Sequence, residues 1–449
     1  MRYAGLVADP DPTPLIDTSK VAEPELRAHP LSSERYTSRE FMRREWEQLW
    51  CQLWQIGCLE VELVTPGDFV TFQYGTESLI FVKDRAGRLR GFYNVCQHRG
   101  NQLTGAESGH TGAFVCPYHG WVWGTDGELQ KVQDPEDFPQ GAPCGRLRLA
   151  ELRVETWAGF VWFTLATDGK SLAEFLEPIA HELDTYRMHT MVRTHHITLE
   201  SDCNWKVVLD NFHESYHIPT VHPALKFFLN DTHQATQFDL YPAGHTRMLM
   251  PGGGPSPRAA GHEDLVLKVM TEELEMWQLE AESFRGRLGD MREALQRQKR
   301  ALAGEKGFDY SRYVDGQLTD HYHYTVFPNL ALSMKPDGCI FLRALPDPRD
   351  PEKCFFDVWY FTLFPEGSDE YVAMSMADTV RRGEETPHQR GKLGEIFLGG
   401  GIDEDASIFV SQQRGLRSRA FQGATLTHQE RRVAWYHQVI DEYLDGSRS

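Results

Sequence analysis

CQHRG at 96–100 and CPYHGW at 116–121 constrain this chain more than any other part of its 449 residues. Each string holds one cysteine and one histidine, first as Cys-x-His and then as Cys-x-x-His. Seventeen residues, Arg99 to Val115, separate His98 of the first from Cys116 of the second. Thiolates and imidazoles are ligands of soft and borderline metals, so four of them in two pairs ask for a metal site. Any fold for this chain has to bring two loops together there. Gly100 and Gly120 stand just behind the histidines and allow both loops to turn tightly.

The arrangement within each string narrows the choice. A zinc finger groups its cysteines in one half and its histidines in the other. Here each half supplies one of each. That suits a Rieske [2Fe–2S] centre, in which two cysteines hold one iron and two histidines the other. A structural zinc site is the alternative. Cys51, Cys58, Cys144, Cys203, Cys339 and Cys354 have no such spacing and read as buried thiols. Scattered over a long chain with no secretory leader, they are expected to stay reduced.

The two strings sit in a β-rich stretch. DFVTFQYGTESLIFVKDRAGRLRGFYNV reads as strand, turn, strand, turn, strand, with breaks at Tyr74-Gly75 and Ala86-Gly87. LRVETWAGFVWFTL adds two strands around Ala158-Gly159. Residues 1–36 are rich in proline and charge and read as an extended arm. A capping-box pattern at Thr37-Ser38-Arg39-Glu40 opens a helix with apolar residues at helical spacing through Leu53. We expect an arm and helix over 1–53 that packs with the later domain, a small all-β domain over 54–165, and a second domain over 166–449. In the last, a strand runs into a helix over HHITLESDCNWKVVLDNFHESYHIP. Residues 262–304 are helical in composition, strands follow in HYHYTVFPNLALSM, GCIFLRALP and CFFDVWYFTLFP, and 402–444 is helical again. The fold class is α+β.

An electron carrier alone would stop near residue 165. The remaining residues contain DNFHESYHIPTVHP (210–223), in which four residues separate His217 from His222. A helix broken at Ile218-Pro219 could present both histidines to one metal, the second beyond the kink. Two imidazoles and one carboxylate, with open positions left over, form the facial triad of non-haem Fe(II) oxygenases. His213 lies outside that spacing and reads as a helix or pocket residue. His195 and His196 read as strand residues. So do His321 and His323, either of which could line a pocket.

Charge excludes other classes. The net charge is −19, from 65 acidic against 46 basic residues. Such a surface repels phosphate backbones, so no nucleic-acid partner is expected. No run approaches the roughly 18 apolar residues of a membrane span. The first twenty residues hold no continuous apolar stretch, and we expect a soluble, cytoplasmic protein.

The two strings resemble the Rieske signature of the ring-hydroxylating oxygenases, C-x-H-R-G and C-x-Y-H-G-W. DNFHESYHIPTVHP resembles the (D/E)-x-x-H-x4-H segment of their catalytic domains. From about residue 38 to the end, the chain is similar to the large (alpha) catalytic subunit of that Rieske non-haem iron oxygenase family. The resemblance implies that Cys96 and Cys116 hold one iron of the cluster, and His98 and His119 the other. It implies that His217 and His222 hold a mononuclear Fe(II). Glu214 falls on the carboxylate that bridges a Rieske histidine of one subunit to an iron-bound histidine of its neighbour. The best-known aromatic dioxygenases have Asp there, whereas Glu is frequent in branches acting on other substrates, quaternary ammonium compounds included. GIDEDASIFVSQQRGLRSR (401–419) resembles the family's closing segment. Asp405, eight residues before Gln413, takes the third ligand position, with Asp403 and Glu404 as rivals.

The implied fold is a Rieske domain joined to a helix-grip (START-like) domain, a curved antiparallel sheet around a long helix, in a homotrimer. The implied activity is that of a terminal oxygenase. It would use O2 and NAD(P)H-derived electrons to hydroxylate or oxidatively demethylate a mainly apolar small organic substrate. The chain has no plant-type C-x4-C-x2-C run and no G-x-G-x-x-G loop. Electrons would therefore come through a separate reductase, with or without a ferredoxin. The alternative is a Rieske electron carrier whose large domain binds a ligand without catalysis.

Overall fold

The structure is a computed structural model that describes residues 31–372 and 378–448. Of the arm expected over 1–36, residues 1–30 lie outside the described residues, and its end is not extended, since Glu34–Thr37 form a helical turn. The chain divides into two compact units, one spanning 44–175 and the other combining the segment before residue 44 with 176–448.

The smaller unit is built on seven strands, all paired antiparallel. Their order is Gln55–Leu59, Phe160–Thr164, Glu151–Trp157, Leu89–Tyr93, Glu77–Lys83, Asp68–Tyr74 and Ser108–His110. A separate three-stranded sheet joins Ala113–Val115, Val122–Gly124 and Leu129–Lys131. The turns fall where the sequence signals them. Trp157 pairs with Phe160 across Ala158-Gly159, whose φ values of 57° and 86° make a tight two-residue hairpin. Ile80, Phe92, Leu103, Phe114, Trp123 and Leu129 form a core that also encloses Cys96 and Cys116.

Residues 44–53 and 166–175 group with this unit, so its bounds are wider than the 54–165 expected. Packing explains the difference. Trp46 and Trp50 lie against Tyr74, whose hydroxyl donates to the Trp50 carbonyl at 2.8 Å. Trp54 Nε1 and Arg153 Nη2 both donate to the Lys170 carbonyl. The helix before them, Arg39–Glu45, is capped by Ser38, whose Oγ accepts from Phe41 N at 3.2 Å. The capping residue is therefore one position later than the sequence pattern suggests.

The larger unit carries an eight-stranded sheet. Its order is Gln237–Leu240, Thr246–Met250, His321–Val326, Leu330–Lys335, Gly338–Pro346, Cys354–Thr362, Val192–Ser201 and His388–Lys392. Every pairing is antiparallel except the last, where His388–Lys392 runs parallel to Val192–Ser201. A parallel edge departs from the all-antiparallel expectation. A parallel neighbour needs a long crossover, and nearly 190 residues separate these two strands. Helix Trp205–Phe212 packs on the three strands spanning 330–362, and helix Gly400–Leu416 packs on that helix. The 262–304 region forms two helices, Glu263–Met276 and Met291–Leu302, and the last helix is Arg431–Leu444. Residues before 44 dock here. Tyr36 is buried and its hydroxyl donates to Asp210 at 2.6 Å. Among the described residues no helix is long and apolar enough to cross a membrane.

Candidate metal centres

In the smaller unit the two motif strings form two loops with the same internal bonding. Gly100 N donates to the Cys96 carbonyl, and Gly120 N to the Cys116 carbonyl, each at 3.0 Å. Gly100 and Gly120 have φ of 77° and 67°, the left-handed conformation that a side chain disfavours. The loops point their thiols inward and their imidazoles outward. Cys96 and Cys116 are buried, while the His98 and His119 rings lie 4.6 Å apart, centroid to centroid, at the exposed rim. Burial raises the Cys96 thiol pKa, and Cys116 raises it further. Burial, then His119 and Arg99, lower that of His98. Two thiols at the base and two imidazoles at the rim could hold a two-iron cluster with one iron on each pair.

The larger unit brings together residues that are far apart in the chain. Asn204 caps helix Trp205–Phe212 by accepting from Lys206 N at 2.9 Å. Asn204 N in turn donates to Gln413 Oε1 at 2.9 Å, which ties this helix to Gly400–Leu416. Past the first helix the chain makes one further helical turn, Ile218–Val221, with Pro219 at its start. The proline thus opens a turn and does not break a longer helix, because its missing N–H is not needed there. His217 and His222 bracket that turn, and the ligand atoms of His217, His222 and Asp405 all lie within 4.8 Å of one another. His222 Nε2 is 2.8 Å and His217 Nε2 3.3 Å from the same oxygen, Asp405 Oδ1.

Each histidine has its own carboxylate on the far side of the ring. His217 Nδ1 is 2.6 Å from Glu214 Oε1, and His222 Nδ1 is 2.6 Å from Glu404 Oε2. Such contacts fix the tautomer of a metal-binding imidazole and turn Nε2 toward the ion. Asn211 Nδ2 donates to Asp405 Oδ1 at 2.9 Å. Burial opposes charge on His217, but Asp405 and Glu214 outweigh it and lift its pKa to about 10. Burial likewise raises Asp405, and the two histidines override it and lower its pKa. The site is therefore built to hold positive charge, which protons or a divalent cation can supply.

Of the rival acids, Asp403 accepts from Leu398 N at 3.0 Å, ahead of the helix, and Glu404 faces His222 Nδ1. His213 is buried, with Nδ1 against the Leu209 carbonyl and its ring stacked on Tyr436. Sequence reasoning did not foresee Asn211 or the second outer carboxylate. A signal existed for the latter. Each ligand histidine needs an acceptor on Nδ1, and no acid precedes His222 as Glu214 precedes His217.

Residues 188–446 match the family described as the ring-hydroxylating alpha subunit (catalytic domain), and residues 54–148 match the Rieske [2Fe–2S] domain. The glycine betaine monooxygenase oxygenase subunit of Pseudomonas aeruginosa is 28% identical over 192 residues, 42% of this chain and 44% of that one. The anthranilate 1,2-dioxygenase large subunit of Acinetobacter baylyi is 29% identical over 200 residues, 43% of this chain and 42% of that one. The chain thus spans less than half the length of these relatives. A crystal structure of a quaternary ammonium Rieske monooxygenase in complex with L-carnitine superposes with a TM-score of 0.61 at 18% identity, over 94% of this chain and 99% of that one. That likeness is one of fold. With more than half of its length matched by the catalytic-domain family, the chain is a ring-hydroxylating alpha subunit of the Rieske non-haem iron oxygenases, whose cofactors are a [2Fe–2S] cluster and a mononuclear iron.

Proposed function

We propose that this chain is the terminal oxygenase component of a multicomponent Rieske oxygenase. Cys96, His98, Cys116 and His119 hold the cluster, and His217, His222 and Asp405 hold the mononuclear iron. The observation that carries this reading is the convergence of two Nε2 atoms and one carboxylate oxygen within 4.8 Å. Three protein ligands would leave open positions on an iron held there, and that iron would supply the activation of O2. A carrier with a ligand-binding domain would have no use for them.

The chain's own residues prepare that chemistry. Glu214 and Glu404 hold the imidazoles by Nδ1. Asn211 holds the Asp405 oxygen that both Nε2 atoms face. In a homotrimer, Glu214, held against His217 Nδ1, would also bridge that histidine to a neighbouring subunit's Rieske histidine. Ile218, Met248 and Met250 pack together beside the ligand turn and offer apolar surface to a small organic substrate. The reaction is hydroxylation, as in aromatic-hydrocarbon catabolism, or oxidative demethylation, with electrons from NAD(P)H through a separate reductase, with or without a ferredoxin. The cytoplasm is the expected location.

A single turnover tests this. The purified protein is reduced chemically, given labelled O2, and offered arenes, aryl ethers, quaternary amines, branched aliphatics and their acids. Mass spectrometry should show label in a product or loss of a methyl group. Absence of both, together with absence of mononuclear iron from the intact protein, would sink the reading.

A further inference from the structure

The sheet of the larger unit holds a polar pair that no metal ligand uses. Its register pairs Thr246 with Thr325, Met248 with His323 and Met250 with His321. Alternate residues of a strand share a face, so these six side chains lie on one side of the sheet. Ile218, which stands between the two ligand histidines, packs with Met248 and Met250. That face therefore looks onto the ligand turn.

Arg432 reaches this face from the last helix and is 0% exposed. Its Nε donates to Thr246 Oγ1 and its Nη2 to Thr325 Oγ1, each at 2.8 Å, and Nη1 donates to the Phe212 carbonyl at 3.4 Å. None of these contacts is with a carboxylate. The last contact of Arg432 is His323 Nδ1, 3.3 Å from Nη2. A guanidinium can only donate, so His323 Nδ1 accepts and the ring proton sits on Nε2. That Nε2–H is buried and has no acceptor among the described residues. The His323 ring lies against Phe212, the last residue of the helix leading to the ligand turn, at 6.3 Å and 17°. Burial first, then Arg432, hold this imidazole well below its ordinary pKa, so it is a neutral single donor at pH 7.

A buried cation with no carboxylate in direct contact, only Asp239 and Glu214 acting on it from further off, and a buried donor without an acceptor each carry a free-energy cost. One group answers both, an anionic oxygen arriving beside the apolar surface of Met248 and Met250. We propose that His323, backed by Arg432, is a specificity-determining residue that binds a carboxylate of the substrate through Nε2–H. The inference rests on the oxygenase reading above and narrows its substrate to a small organic acid with an apolar body.

The test uses the full-length iron-loaded protein and two acid–amide pairs, benzoate with benzamide and hexanoate with hexanamide. Isothermal titration is expected to show each acid binding about tenfold tighter than its amide, a difference of about 1.4 kcal/mol. His323→Phe keeps the stacking on Phe212 and should abolish the acid preference. His323→Gln keeps an N–H donor and should restore part of it. Iron content and circular dichroism, unchanged in both variants, exclude misfolding. Acids that bind no tighter than their amides, or an acid preference that survives His323→Phe, would overturn the proposal. Iron content separates the two claims. If iron is present and the acid preference absent, only this inference fails. If iron does not bind, the oxygenase reading fails whatever the acids do.

Discussion

His217 and His222 are gripped alike but not equally sheltered. The Glu214 side chain is 12% exposed, and that of Glu404 is 50% exposed. Loss of an outer carboxylate typically weakens metal binding about 10–100-fold, and exposure places Glu404 at the low end. Glu404→Ala is expected to raise the iron dissociation constant about tenfold, and Glu404→Gln less, because its amide oxygen still accepts. Competition against a chelator measures this, and an unchanged constant would remove Glu404 from the site. Protonation gives a second expectation at this scale. His217 titrates near 10 in the metal-free site, so it carries a proton at neutral pH and has to lose it before it can ligate. Iron affinity should therefore rise with pH toward that value, and binding should release protons. Titration calorimetry in buffers of different ionisation enthalpy checks the release, and heats independent of buffer would contradict it. Spacing along the chain singled out Cys96, His98, Cys116, His119, His217 and His222 as candidates, because spacing is what a sequence displays. The choice of Asp405 over Asp403 and Glu404 rested on the resemblance and not on local pattern, since which acid faces inward depends on the phase that packing imposes on helix Gly400–Leu416.

Most elements could be read in advance. The hairpin at Ala158-Gly159 and the strands from 321 to 362 follow from local pattern and turn residues. The edge strand His388–Lys392 could not be read, because its parallel partner lies nearly 190 residues earlier and nothing local encodes the pairing. Two joints are open to test. Ala158 holds φ at 57°, where an L side chain costs about 1–2 kcal/mol, while glycine adds about 0.4–1 kcal/mol of unfolded-state entropy. Ala158→Gly should therefore stabilise the smaller unit by about 0.5 kcal/mol, read as a raised denaturant midpoint. Gln413 is fully buried, and Gln413→Ala leaves Asn204 N without its acceptor. A destabilisation of about 1–3 kcal/mol is expected, with weaker iron binding because the helix carrying Asp405 loses its tie to the helix that leads to His217 and His222. Loss of stability with unaltered iron affinity would show that the tie does not position the site.

At the scale of the molecule, one chain supports two compact units, and the division falls within the helix Arg39–Glu45. Tyr36 belongs with the larger unit through Asp210. Tyr36→Phe deprives a buried carboxylate of a donor and should destabilise that unit by about 1–3 kcal/mol. The visible spectrum of the [2Fe–2S] cluster should not change, and a bleached spectrum would contradict the division. The division also sets an order in time. Both Rieske strings lie between 96 and 121, and their unit closes by residue 175. His222 and Asp405, by contrast, stand 183 residues apart. On the ribosome the four candidate cluster ligands emerge together, while the histidines of the candidate second centre wait for a carboxylate made 183 residues after His222. Translation that stalls between the two would leave a coloured, redox-active fragment with nowhere to lodge its second metal.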